Sequence, residues 1–215
     1  GLTRQNWKSA VLIVLAFVGI YIVRTVVSVA VQGVSDGSGM QHVKEWAAMF
    51  KNPMMWLNIA ALPINYFFVF IAFFGEEYGW RYYLQPVLQK RFGLRAGVII
   101  LGVVWGLWHI PDDLFYYTQT SGIQMIFAQQ ITCISLGIFF AYAYMKTQNI
   151  WVPVCLHYLN NNLIPIISGT FSADVLENQT VSWKDLPVAL VLNGLCFGFF
   201  LLADVFKKKE VQEEE

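Results

Sequence analysis

Residues 56–88 read WLNIAALPINYFFVFIAFFGEEYGWRYYLQPVL. Roughly 20 apolar residues carry a helix across the hydrocarbon core of a bilayer, and this stretch is longer than that. Yet it contains Glu76, Glu77 and Arg81. Ionisable side chains within a membrane helix are costly, and they face partners or water in preference to lipid. One segment therefore sets the fold class, a bundle of membrane helices, and marks where chemistry is to be sought.

The rest of the chain agrees with it. Hydrophobic residues make up 57% and charged residues 13%, where a soluble domain carries about 25% charged residues. Mean hydropathy is +0.52. Lys and Arg number 14 and Asp and Glu 14, so no net positive charge speaks for nucleic acid as a partner. Cys133, Cys155 and Cys196 are odd in number and lie in apolar runs. They read as small buried hydrophobes and not as a disulfide or metal framework.

Six segments qualify as spans, at about 9–33, 56–88, 95–111, 122–145, 149–168 and 186–206. The first is long and lacks a small-residue cleavage site, so it is expected to be a span and not a signal peptide. Along the predicted alternation one side receives Arg4, Lys8, Lys90, Arg91, Arg95, Lys146 and Lys207 to Lys209, while the other receives Lys44, Lys51 and Lys184. That asymmetry predicts that both termini are cytoplasmic. The loops at 34–52 and 170–185 read as short and polar, and Glu210 and Glu213 to Glu215 as a solvated tail. The expectation is an all-α, polytopic membrane helix bundle of about six transmembrane helices around a polar intramembrane cavity. It forms a single integral membrane domain over 1–215, with a motif-bearing core at about 56–168.

Two further polar clusters share the depth of the first. Glu76 lies 14 residues before Lys90, His109 lies 14 after Arg95, and His157 lies 11 after Lys146. At 1.5 Å per residue each is roughly 16–21 Å from a basic anchor among the headgroups, near mid-membrane, where the three can meet. Glu77 and Arg81 are four apart on one helix face, which predicts a buried salt bridge. Glu76 is turned about 100° from Glu77 and is freer to address a water, as a general base must. His157 and Asn161 are also four apart and point at one place, where they can donate to an oxyanion, or His157 can ligate a metal. Trp105 and His109 repeat the spacing, with the indole expected to hold the imidazole rotamer.

Other polar residues have plainer readings. Asn160 and Asn162 are expected to join helices by amide hydrogen bonds, outside the site. Arg24 is expected to snorkel or to pair across helices with one of the acids, and Asp112 and Asp113 to cap a turn.

Glu-Glu-x-x-x-Arg (Glu76, Glu77, Arg81), aromatic-x-x-x-His (Trp105, His109) and His-x-x-x-Asn (His157, Asn161), in that order, resemble the CPBP family of intramembrane proteases, also called Abi. That family includes the CAAX prenyl endopeptidases. The run Leu84-Gln85-Pro86 to Lys90-Arg91-Phe92-Gly93 is similar to it as well. The second motif opens here with Trp105, where the family usually has Phe. The resemblance implies that Glu76 activates water together with His109, that His157 and Asn161 stabilise the oxyanion, and that Glu77 and Arg81 support them.

The family has been described both as metalloproteases and as glutamate-type proteases. Glu76, His109 and His157 offer ligands for Zn²⁺, but the His-Glu-x-x-His spacing of soluble zinc proteases is missing. Activation without a metal or other cofactor is the favoured reading. The implied function is an intramembrane endopeptidase acting on a prenylated or hydrophobic peptide in the membrane lipid. In a bacterial cell membrane that points to peptide maturation or bacteriocin self-immunity. The competing readings are a catalytically silent immunity or scaffold protein of the same fold and a proton-coupled transporter. A transporter commonly shows internal repeats, and none is seen. Protein partners are not legible.

Overall fold

The computed structural model describes residues 7–36, 39–168 and 173–207. Arg4, Lys208, Lys209 and the acidic tail lie outside the described residues. Every regular element among those described is helical. Helix α1 (Trp7–Asp36) is followed by α2 (Gly39–Phe50) and α3 (Pro53–Glu77). A π-helical segment, Tyr78–Leu84, leads without interruption into α4 (Gln85–Phe92). Then come α5 (Leu94–Trp108), α6 (Ile110–Phe115), α7 (Gly122–Thr147), α8 (Trp151–Ser168), α9 (Ala173–Glu177) and α10 (Asp185–Cys196). Two 3₁₀ turns, Gly198–Leu202 and Asp204–Phe206, complete the described chain.

Four helical stretches are long and apolar enough to cross a membrane: Trp7–Val31, Pro53–Phe92, Leu94–Phe115 and Gly122–Thr147. They correspond to the first four predicted spans. The fifth prediction is helix α8, in which His157 and Asn160 to Asn162 dilute the apolar run. The sixth, 186–206, is not one helix. Helix α10 stops at Cys196 after 12 residues, and the chain goes on as 3₁₀ turns around Gly198. Phe67, Phe68 and Ile71 stand 72%, 74% and 70% exposed on α3, a continuous apolar face that suits lipid and not water. The protein is an integral membrane helix bundle.

The loop expected at 34–52 contains α2 instead. Its Trp46, Met49 and Phe50 follow helical spacing and pack toward the bundle, and Trp46 Nε1 donates to the Ile167 carbonyl at the end of α8 (3.0 Å). Asn52 caps α3 by accepting from the Met54 N–H, with Pro53 at the first helical position, where no donor is lost. Between α4 and α5, Gly93 turns the chain at φ +90°, a conformation that costs glycine nothing.

Lipid tails are as apolar as the side chains, so packing and not water exclusion joins membrane helices, and small residues let them approach. Helix α5 presents Gly97 to α4 and Gly102 and Gly106 to α7. A Cβ on Gly102 would lie 2.6 Å from the Ile134 Cα. Backbone cannot yield as a side-chain tip can, so Gly102→Ala is expected to push α5 from α7 and cost about 1–3 kcal/mol. Gly19→Ala, with open space around it, is the matched control and should be neutral or slightly stabilising. Thermal unfolding in detergent compares the two, and equal midpoints would refute the close approach.

Against this hairpin packs the main core. It holds Phe17 and Tyr21 of α1, Trp105 of α5, Phe139 and Phe140 of α7, Leu156 of α8 and Phe197. Trp105 and Phe140 lie against the Arg81 guanidinium of the candidate site.

Candidate active site

The site begins where α3 changes pitch. Glu76 and Glu77 close the α-helical part, and Arg81 lies within the wider π turn; such segments recur at functional sites. Glu77 is fully buried and has two partners. Its Oε2 accepts from Arg81 Nε (2.9 Å), the predicted salt bridge, and its Oε1 faces His157 Nδ1 (2.9 Å). A carboxylate accepts, so His157 Nδ1 carries the proton, and Nε2 is the free nitrogen of the ring. Phe73 and Trp105 meet the imidazole edge-on at 5.2 and 5.4 Å and fix its plane.

Arg81 is buried as completely as its partner. Its Nη1 and Nη2 have no hydrogen-bond partner among the described residues. The guanidinium lies instead over the rings of Trp105 (5.1 Å) and Phe140 (5.5 Å). Two π faces and a carboxylate hold a charge that could not otherwise remain in this interior.

His109 ends α5. Its Nδ1 donates to the Trp105 carbonyl (2.9 Å), which again leaves Nε2 as the free nitrogen. The Trp105 and Trp108 rings stand 5.8 and 5.1 Å from the imidazole, so the expected role of Trp105 as a rotamer clamp is met by ring and backbone together.

His109, His157 and Asn161 line one cavity of about 280 Å³, with Trp105, Asn160, Gln129, Thr132 and Cys133 among the other walls. That volume admits a water and a short length of extended peptide, since each water takes up about 30 Å³. Glu76 is not among the lining residues. It is half-buried, and its Oε2 accepts from Trp80 Nε1 at 3.4 Å. The structure thus gathers both imidazoles, Asn161 and, through His157, Glu77 and Arg81, while Glu76 stands at the margin.

Three plainer readings are corrected. Asn160 does join helices, accepting from the Tyr21 hydroxyl of α1, but it is also part of the cavity wall, and its Nδ2 donates to Asn161 Oδ1 (2.8 Å). Among the described residues Arg24 pairs with no acid: its Nε donates to Asn193 Oδ1 (3.0 Å). Asp113 caps nothing, for its side chain is buried and neither oxygen has a partner among the described residues. Asn162 likewise joins helices, accepting from Asn65 Nδ2 (3.3 Å). Gln129, Thr132 and Cys133 form a polar stripe on α7 at helical spacing, a signal present in the sequence but outside the three motifs.

Among the described residues no three His, Cys, Asp or Glu side chains are gathered as a metal ion needs. Glu76, His109 and His157 do not make a zinc site as they stand.

Comparison with known proteins follows the same residues. The model of the family described as Type II CAAX prenyl endopeptidase Rce1-like matches residues 56–163, half of the chain. The chain is 27% identical over 125 residues to a protein named CAAX prenyl protease 2 from Methanococcus maripaludis, a match that covers 54% of this chain and 45% of the relative. The matched region therefore spans less than half the length of that relative. No solved structure matches. All seven motif residues, from Glu76 to Asn161, fall inside the family match, and the chain belongs to the Type II CAAX prenyl endopeptidase Rce1-like family.

Proposed function

We propose that the protein is an intramembrane endopeptidase that hydrolyses a peptide bond in a prenylated or otherwise hydrophobic, membrane-associated peptide. One observation carries the reading. Two imidazoles and a carboxamide, His109 from the end of α5 and His157 and Asn161 from α8, converge on one polar cavity, and a fully buried Glu77–Arg81 pair fixes one of them. A scaffold gains nothing from that arrangement.

In the proposed reaction Glu76 takes a proton from a water that His109 Nε2 holds, and the water oxygen bonds to the scissile carbonyl carbon. With both nitrogens protonated, His157 faces the Glu77 carboxylate as an ion pair and donates from Nε2 to the tetrahedral oxyanion. Asn161 Nδ2 is the second donor. Collapse breaks the C–N bond, and the proton held by Glu76 passes to the leaving amine. The name of the relative supports a substrate of the prenylated CAAX kind. In a bacterial cell with cytoplasmic termini the natural roles are maturation of hydrophobic peptides or self-immunity against bacteriocins.

The test is mass spectrometry of peptides incubated with the purified protein, using prenylated and unprenylated C-terminal peptides and hydrophobic leader peptides. A single internal cut is expected, unchanged in rate by EDTA or 1,10-phenanthroline. Loss of cleavage on chelation, restored by Zn²⁺, would overturn the metal-free chemistry. No cleavage of any peptide, in a protein that still serves its cell, would leave the scaffold reading in its place.

A further inference from the structure

The Asn161 amide can serve an oxyanion only if its nitrogen, and not its oxygen, faces the cavity. Nothing in the three motifs decides that orientation, since a carboxamide presents a donor on one side and an acceptor on the other. Resting on the proposed chemistry, we infer that Tyr21 of α1, outside the region matched by the family, is a positioning residue that sets the Asn161 amide through Asn160.

Tyr21 is buried, packed between Phe17 (4.9 Å) and Phe197 (5.1 Å), with the Arg24 guanidinium 5.8 Å from its ring centre. Its hydroxyl donates to Asn160 Oδ1 (2.5 Å). A phenol is a better donor than acceptor, so it selects the Asn160 orientation with the oxygen toward Tyr21. Asn160 Nδ2 is thereby turned to Asn161 Oδ1, to which it donates at 2.8 Å. With its oxygen engaged, Asn161 presents Nδ2 to the cavity it lines. The relay runs in one sense, phenol to amide to amide. Without the phenol both amides can turn together, and an acceptor then meets the developing negative charge.

The test is a double-mutant cycle on the peptide that the wild-type protein cleaves. Tyr21→Phe keeps the ring and its packing, and is expected to lower kcat about tenfold with KM unchanged, because the oxyanion exists only in the transition state. Asn161→Ala is expected to lower kcat about 10²-fold, as loss of an oxyanion donor does. The decisive quantity is the double variant, Tyr21→Phe with Asn161→Ala, which should be no slower than Asn161→Ala alone. A merely structural Tyr21 would slow both backgrounds equally, and that additivity would overturn the inference. So would a Tyr21→Phe protein with the wild-type kcat while Asn161→Ala is slow; the protease reading would then stand without the relay. If Tyr21→Phe does not fold, Asn160→Asp replaces it. That nearly isosteric change still accepts from Tyr21 but cannot donate to Asn161, and should lower kcat at least as far; an unchanged kcat would refute the relay. A wild-type protein that cleaves nothing defeats the protease reading and the relay with it.

Discussion

Purified Glu76→Gln protein is expected to lose about a thousandfold in kcat while KM and thermal midpoint stay near the wild-type values. The loss is of the size that removal of a positioned general base produces. The fold should survive because the change is isosteric. The Trp80 indole N–H now lies 3.4 Å from Glu76 Oε2, and the amide oxygen of the variant can accept it in the same place. Glu76 is also half-buried, with no cation within salt-bridge range among the described residues. What goes is the capacity to take a proton. Single-turnover cleavage of the best peptide, alongside thermal unfolding of the same preparations, separates the two effects. Retained cleavage would also be informative in a definite direction. Glu76 is not part of the cavity wall, whereas His109 is, with its Nδ1 committed to the Trp105 carbonyl and its Nε2 free. An active Glu76→Gln protein would therefore transfer the base role to His109.

The parts of this site that were legible in the sequence obey helical periodicity. Glu77 and Arg81 are four apart, and the salt bridge is there at 2.9 Å. His109 and His157 share a depth counted from basic anchors, and both reach one cavity. The illegible parts depend on which faces meet. Nothing at Tyr78–Leu84 announces a π turn, since any run of aromatic residues can close an α turn just as well; only the packed helices select it. The pairing of His157 with Glu77 links residues 80 apart, and no spacing rule reaches that far. Arg24 found an amide where charge alone suggested an acid, because Asn193 of α10 faces it across the bundle. The segment 186–206 was apolar enough to read as a span, but hydropathy does not register the change from α to 3₁₀ after Cys196. Helix α2 is a different case. The spacing of Trp46, Met49 and Phe50 was readable, and the polar residues ahead of them, Gln41 to Glu45, masked it.

Arg81→Met should be the most destabilising single substitution in the site, by about 3–5 kcal/mol, the range seen when one member of a buried ion pair is removed. The Glu77 carboxylate would keep only His157 Nδ1 as partner, in an interior where both original partners are fully buried. Trp105 and Phe140 would lose the cation that lies over them, although methionine fills much of the volume and suits aromatic neighbours. The cost therefore comes mainly from the stranded charge, and that origin can be checked. In the double variant, Glu77→Gln with Arg81→Met, the charge is gone, and the amide oxygen that replaces the carboxylate can still accept from His157 Nδ1. Most of the lost stability should return, since replacing a whole buried pair is often near neutral. Activity should not return with it. A neutral amide opposite His157 can hold the ring in place but cannot balance the positive charge that the ring needs in order to donate from Nε2. Unfolding midpoints that recover while kcat stays low would assign the salt bridge to two separable tasks, support of the bundle and support of the imidazolium. A double variant as unstable as Arg81→Met would instead place the cost in lost packing over Trp105 and Phe140. Recovery of both stability and kcat would show that Glu77 orients His157 by hydrogen bonding alone.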